Sequence, residues 1–180
     1  MKAVETFDQW ADARLERFRG NPVTDTIFEG ASFVGDFSGI WHLIGVGRVI
    51  IDPSAARQSL AMAALIGAES LTVNQGLKRL FNRRRPTVAG DPRLPVRPPS
   101  TSSFPSGHAS AAFFAAAILS TATNRALAPV WYSAAATVAV SRAYVRIHYP
   151  SDVVGGAVVG ALLGVVGSKI FTVWCSKTNG

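Results

Sequence analysis

Apolar residues gather in five stretches along the chain, at 24–49, 59–77, 108–123, 126–145 and 153–174. A membrane-crossing helix needs about 20 mostly apolar residues. Ahead of the stretches, Val4, Phe7, Trp10, Ala11, Leu15 and Phe18 recur at helical spacing, with Arg14, Arg17 and Arg19 toward the end. That pattern predicts an amphipathic helix over 1–20 that lies at an interface, closed by Asn21-Pro22. It has neither the apolar core nor the small-residue cleavage site of a signal peptide, so none is expected.

The third stretch is short, and the first two carry Glu29, Asp36 and Glu69. Carboxylates inside a bilayer are costly and turn toward the bundle interior; in a soluble helical protein they would be surface residues. The fifth stretch decides between these readings. "VVGGAVVGALLGVVGSKIFTVW" spaces Gly156, Gly160 and Gly164 four apart among Val, Ala and Leu. In water each mid-helix glycine costs about 0.5–1 kcal/mol relative to alanine. In lipid the same small-residue ridge lets two helices approach closely. The expectation is an all-α integral membrane helical bundle in one domain, with about five transmembrane helices plus the N-terminal interfacial helix.

Composition agrees: 48% of residues are hydrophobic and 16% charged, against about 25% charged in an average soluble domain. The net charge of +7 suits an anionic partner. Cys175 has no second cysteine to pair with, and one Cys with three scattered His makes no tetrahedral zinc set, so a zinc site is not expected. Arg79, Arg83 and Arg84 read as interfacial anchors. A basic triplet without an aromatic platform or recognition fold does not indicate nucleic acid.

Three polar clusters stand at the ends of apolar stretches: "KRLFNRRRP" after the second, "PSGH" before the third, and "SRAYVRIHYPSD" between the fourth and fifth. Counting crossings in a five-span bundle puts all three on one side. Their chemistry fits phosphate. Ser106 is a good N-cap, and Gly107 leaves backbone N–H groups unobstructed at a helix start, where the dipole favours an anion. Lys78 supplies a point charge, while Arg85 and Arg142 can grip oxygens bidentately. Pro150-Ser151 starts a helix, so Asp152 in its first turn can fold back on His148, fixing the tautomer and freeing the other nitrogen as base or nucleophile. His108 across the site can act as general acid.

The ordered set of Lys78, Arg85-Pro86, Pro105-Ser106-Gly107-His108, Ser141-Arg142, His148 and Asp152 resembles the full signature of the type 2 phosphatidic acid phosphatase family, with no departure at any signature position. The resemblance implies a membrane-embedded lipid phosphatase that is metal-independent and uses no cofactor. His148 would attack phosphorus to form a phosphohistidine, oriented by Asp152. His108 would protonate the leaving group. Lys78, Arg85, Ser106, Gly107 and Arg142 would bind the phosphoryl oxygens, and vanadate should inhibit.

Family substrates include phosphatidic acid, phosphatidylglycerophosphate and polyprenyl phosphates. Phosphatases of decaprenyl-phosphoryl-phosphoribose in cell-wall synthesis are the specific alternative. A catalytically silent lipid-phosphate-binding scaffold is the alternative of another class, disfavoured because binding alone needs neither histidine nor Asp152. The Pro-rich segment 86–105 is expected to be an active-site loop, with 87–104 as a lid. His42, Asp36 and Glu69 are expected to be structural, the two acids paired with each other or with a hydroxyl. The excess of Lys and Arg on the site side puts that side in the cytoplasm of the cell membrane; the resemblance more often puts it outside.

Overall fold

The computed structural model describes residues 2–86 and 101–176. Seven α-helices follow in order: α1 (Lys2–Glu16), α2 (Pro22–Gly35), α3 (Gly39–Ile51), α4 (Ala56–Leu71), α5 (Gly107–Ala122), α6 (Ala128–Tyr144) and α7 (Pro150–Ser176). No strand occurs among the described residues. Most of the segment expected to act as a lid, 87–100, lies outside the described residues.

Local chemistry sets the helix starts. Asn21 caps α2 by accepting from the N–H groups of Val23 (2.9 Å) and Thr24 (3.4 Å), with Pro22 in the first position. Pro150 opens α7 in the same way. α4 is prolonged by a π-type turn over Thr72–Gly76 and a 3-10 turn over Leu77–Leu80.

α5 is the axle of the bundle. Ten of its residues are buried, because α4, α6 and α7 all pack around it. The predicted glycine ridge of α7 makes the closest of these contacts. A Cβ at Gly160 would fall inside the van der Waals envelope of the Ser110 carbonyl, and one at Gly156 would meet the Ser106 carbonyl. Opposite the site, Arg48 of α3 donates to the Ala122 carbonyl of α5 (3.0 Å), and Arg57 of α4 donates to the Trp174 carbonyl of α7. Those two bonds gather the helix ends there.

The outer faces stay apolar: Leu43, Val46, Ile50, Leu60, Val158, Leu162, Val165 and Ile170 are all exposed. Among the described residues, two helical stretches are long and apolar enough to cross a membrane, Pro22–Ile51 and Pro150–Ser176. α4, α5 and α6 have 16, 16 and 17 residues. Length and composition thus support two of the five expected crossings by themselves.

The first apolar stretch is also not one smooth helix. It breaks at Asp36–Ser38, where Phe37 (φ 53°) and Ser38 (φ 59°) are left-handed. Hydrophobic periodicity runs straight through this break because the residues on either side stay apolar.

Candidate active site

The three polar clusters meet at one end of the bundle, around a cavity of about 790 Å³. Its wall includes Lys78, Gly107, His108, Arg142 and His148. Lys78 sits in the turn that prolongs α4, Gly107 and His108 start α5, Arg142 ends α6, and His148 lies in the loop before α7. The topological argument from apolar stretches alone is thereby met in space.

The start of α5 is built for an anion. Ser106 caps the helix by accepting from the Ala109 N–H (3.4 Å) and accepts the Ser110 N–H on its carbonyl (3.0 Å). The N–H groups of Gly107 and His108 have no acceptor among the described residues. A Cβ at Gly107 would stand 2.6 Å from Asn74 Oδ1, so a larger residue there would have to displace the Asn74 side chain. Ser106 itself is fully buried and off the cavity wall; it acts on the site through the turn it caps. Its own N–H donates to the Asp152 carbonyl (3.0 Å), tying the start of α5 to the start of α7.

His148 is held on both ring nitrogens. Arg85 Nη1 lies 3.1 Å from Nε2 and also donates to the Ile147 carbonyl (2.8 Å). A guanidinium only donates, so Nε2 is the acceptor and the ring proton sits on Nδ1. Asp152 is 3.7 Å from Nδ1, too far for a direct hydrogen bond. The buried Ser103 hydroxyl closes the gap, 3.4 Å from Nδ1 and donating to Asp152 Oδ2 at 2.5 Å. The same oxygen accepts the Tyr149 N–H (2.9 Å), the reciprocal half of a capping box. Burial, reinforced by the charges of Arg85 and Lys78 against Asp152, pushes the His148 imidazole down to about 3. It is therefore neutral at physiological pH, with its lone pair on Nε2 accepting from Arg85.

Lys78 is buried and has no hydrogen-bond or ion-pair partner among the described residues. Burial and the nearby Arg85 push its ammonium down to about 8. Arg142 is fully buried: Nη1 donates to the Ser32 carbonyl (2.9 Å), the Ser32 hydroxyl (2.6 Å) and Asp36 Oδ1 (3.2 Å), while Nε has no partner. Among the described residues no group of three His, Cys, Asp or Glu side chains could hold a metal ion.

Three assignments made from sequence change here, those of Asp36, His42 and Arg83. Asp36 does not pair with Glu69; its carboxylate lines the cavity and accepts from His108 Nε2 at 2.9 Å. Glu69 has the hydroxyl partner that was the other expectation, accepting from Ser110. His42 lines the cavity too, because the break at Asp36–Ser38 turns α3 toward the site. Arg83 is not a free interfacial anchor: it donates to Asp152 Oδ1 and to Asp8 Oδ2, both at 2.7 Å, and stacks over the Tyr149 ring. Through Asp8, which also accepts from the Ser151 N–H and hydroxyl (both 2.8 Å), α1 is joined to the site. Ser103 and Asp8 left no sequence signal, since a serine among serines and an acid on an amphipathic helix are unremarkable.

A model of the PAP2 superfamily matches residues 58–175, which include every one of the candidate site residues. The chain belongs to the PAP2 superfamily. It is 34% identical over 140 residues to the decaprenylphosphoryl-5-phosphoribose phosphatase of Mycobacterium tuberculosis, covering 76% of this chain and 75% of that protein. The protein of that name from Mycolicibacterium smegmatis is 34% identical over 76% of this chain and 73% of its own length.

Among solved structures, a transmembrane PAP2 type phosphatidylglycerolphosphate phosphatase from Bacillus subtilis superposes with a TM-score of 0.74 at 25% identity, over 99% of this chain and 90% of that one. Aquifex aeolicus LpxE shares the fold with a TM-score of 0.67 at 24% identity, over 87% and 92% of the two chains. The chain is a phosphatase of the PAP2 superfamily with a membrane-type helical fold.

Proposed function

We propose that the chain is a multi-pass protein of the cell membrane that hydrolyses a phosphate monoester or diphosphate carried on a lipid, without a metal ion, by way of a phosphohistidine. One observation carries this reading: His148, His108, Lys78, Arg142 and the open start of α5 face a single cavity. The phosphoryl oxygens take the N–H groups at Gly107 and His108, the Lys78 ammonium and the Arg142 guanidinium, with Ser106 holding the turn that presents them. Arg85 leaves the His148 lone pair for a phosphoryl oxygen, and Nε2 attacks phosphorus in line with the departing oxygen. The Nδ1 proton is held by Ser103 and Asp152, which stabilises the charge that develops on the ring.

His108 delivers a proton to the leaving oxygen, freeing the lipid alcohol. It then takes one from the water that cleaves the phosphorus–nitrogen bond, which releases phosphate and restores His148. Phe37, Ile66 and Ala111 in the same wall offer apolar surface for a hydrocarbon chain, and the five apolar stretches act as five crossings with α1 at the interface.

Within this class, a decaprenyl-phosphoryl-phosphoribose type of substrate is favoured by the 34% identity to the mycobacterial phosphatases. The test is phosphate release by the detergent-solubilised protein from a panel of phosphatidic acid, phosphatidylglycerophosphate and polyprenyl phosphates. The expected outcome is turnover of at least one of them, blocked by vanadate and abolished in His148→Ala. Turnover that survives either treatment overturns the mechanism, and lipid-phosphate binding without turnover by the intact chain returns the scaffold reading.

A further inference from the structure

Asp36 is the one acidic side chain in the wall of the reacting cavity among the described residues. It reaches that wall at a cost. The chain leaves helical geometry right behind it, with Phe37 and Ser38 both left-handed, a conformation that strains non-glycine residues. The break drops the Asp36 carboxylate between His108 and Arg142, where one oxygen accepts from His108 Nε2 (2.9 Å) and from Arg142 Nη1 (3.2 Å). Two donors on one oxygen hold the carboxylate in place.

We propose that Asp36 is the positioning residue of the acid histidine, keeping the His108 imidazole protonated and aimed at the leaving oxygen. The inference rests on the phosphohistidine reading above. A general acid must carry its proton at the working pH, and the surroundings of His108 work against that. Arg142 faces it from α6, Lys78 from the turn after α4 and His148 from the loop before α7, while His42 comes from α3. Glu69 of α4 is engaged by the Ser110 hydroxyl. Burial disfavours an imidazolium and so do these cations, which leaves Asp36 as the group that opposes them.

The imidazolium has two N–H groups. Nε2–H is the one Asp36 holds, and the other has no partner among the described residues. That second proton goes to the leaving alkoxide as the phosphorus–oxygen bond breaks, and the same nitrogen then accepts a proton from the attacking water. The ring keeps its bond to Asp36 throughout, so its orientation survives both transfers.

The consequence is a dependence on the leaving group that a purely structural residue would not produce. An alkyl alcohol must be protonated as it departs, whereas a nitrophenolate leaves as a stable anion. In Asp36→Asn the amide oxygen can still accept from Arg142, but the charge that supports the imidazolium is gone. With purified protein in detergent, turnover of phosphatidic acid should fall about 100-fold, the order contributed by a general acid. Turnover of p-nitrophenyl phosphate should fall less than about threefold. The alkaline limb of kcat for phosphatidic acid should move to lower pH, and Asp36→Glu should recover part of the loss. Equal losses on both substrates, or no loss on either, overturn the assignment.

Two controls separate this from the underlying mechanism. His108→Ala should give the same split between substrates, and His148→Ala should stop both. If His148→Ala leaves both reactions running, the phosphohistidine reading has failed. If both histidine variants behave as expected and Asp36→Asn keeps the wild-type ratio, only the role of Asp36 has failed.

Discussion

At the scale of single residues, the site works by withholding water from charged groups and returning chosen partners to them. Lys78 illustrates the balance. Burial and Arg85 push its ammonium down to about 8, so it begins to lose its charge there, far below the ordinary lysine range. The KM for a phosphate ester should therefore rise as pH climbs through about 8, and Lys78→Arg, which keeps its charge, should flatten that rise. A pH profile of KM for both proteins checks this.

His148 is displaced further, to about 3 from an ordinary 6.5. Below pH 6.5 the unfolded chain gains a proton that the folded chain refuses, so stability should decline from pH 6.5 toward 3 while the folded imidazole stays neutral. Denaturant midpoints measured across that window test the sign. Ser103 bridges the imidazole and Asp152, and hydrogen bonds to charged groups contribute about 1.5–3 kcal/mol. Ser103→Ala should accordingly cost at least about tenfold in kcat and leave KM nearly unchanged.

At the scale of helices, two contacts keep the site in register. The first is the α5–α7 interface, where Gly156 and Gly160 let backbone meet backbone. Gly160→Ala must force the helices apart, and overpacking of this kind costs about 1–3 kcal/mol. Gly47 has open space where its Cβ would lie, so Gly47→Ala should be neutral or slightly stabilising. Thermal unfolding in detergent compares the two. The second contact is the Asp8–Arg83–Asp152 chain, with 2.7 Å at each link. Asp8 is buried while Arg83 is partly exposed. Asp8→Ala should release α1, seen as faster proteolysis and hydrogen exchange over 2–16, and lower kcat by loosening the Arg83 hold on Asp152. An unchanged kcat with a released α1 would make the helix an anchor only.

At the scale of the whole molecule, the bundle sorts its charges between two ends. Bonds from Arg48 and Arg57 bring the ends of α3, α5 and α7 and the start of α4 together away from the site. Reporter fusions after Pro53 and at Gly180 should therefore report the same side, opposite to a tag at Met1. Most of the Lys and Arg among the described residues fall on the site side, and positive charge is retained in the cytoplasm. The Met1 tag should report the cytoplasm, and fusions that place Pro53 and Gly180 there would reverse the orientation.

Spacing along the chain was enough to determine the helical class, the glycine contact and the five residues Lys78, Gly107, His108, Arg142 and His148 that gather at one cavity. Each of these follows from a local rule: hydrophobic period, capping chemistry, or the number of crossings between two motifs. Asp36, Ser103, Arg83 and Asp8 were decided by tertiary structure alone. A carboxylate or hydroxyl becomes a partner only when folding removes competing water and sets it within about 3 Å of one particular donor. Residues 106 and 144 positions apart, such as Asp36 with Arg142 and Asp8 with Asp152, share no pattern that a one-dimensional reading can contain.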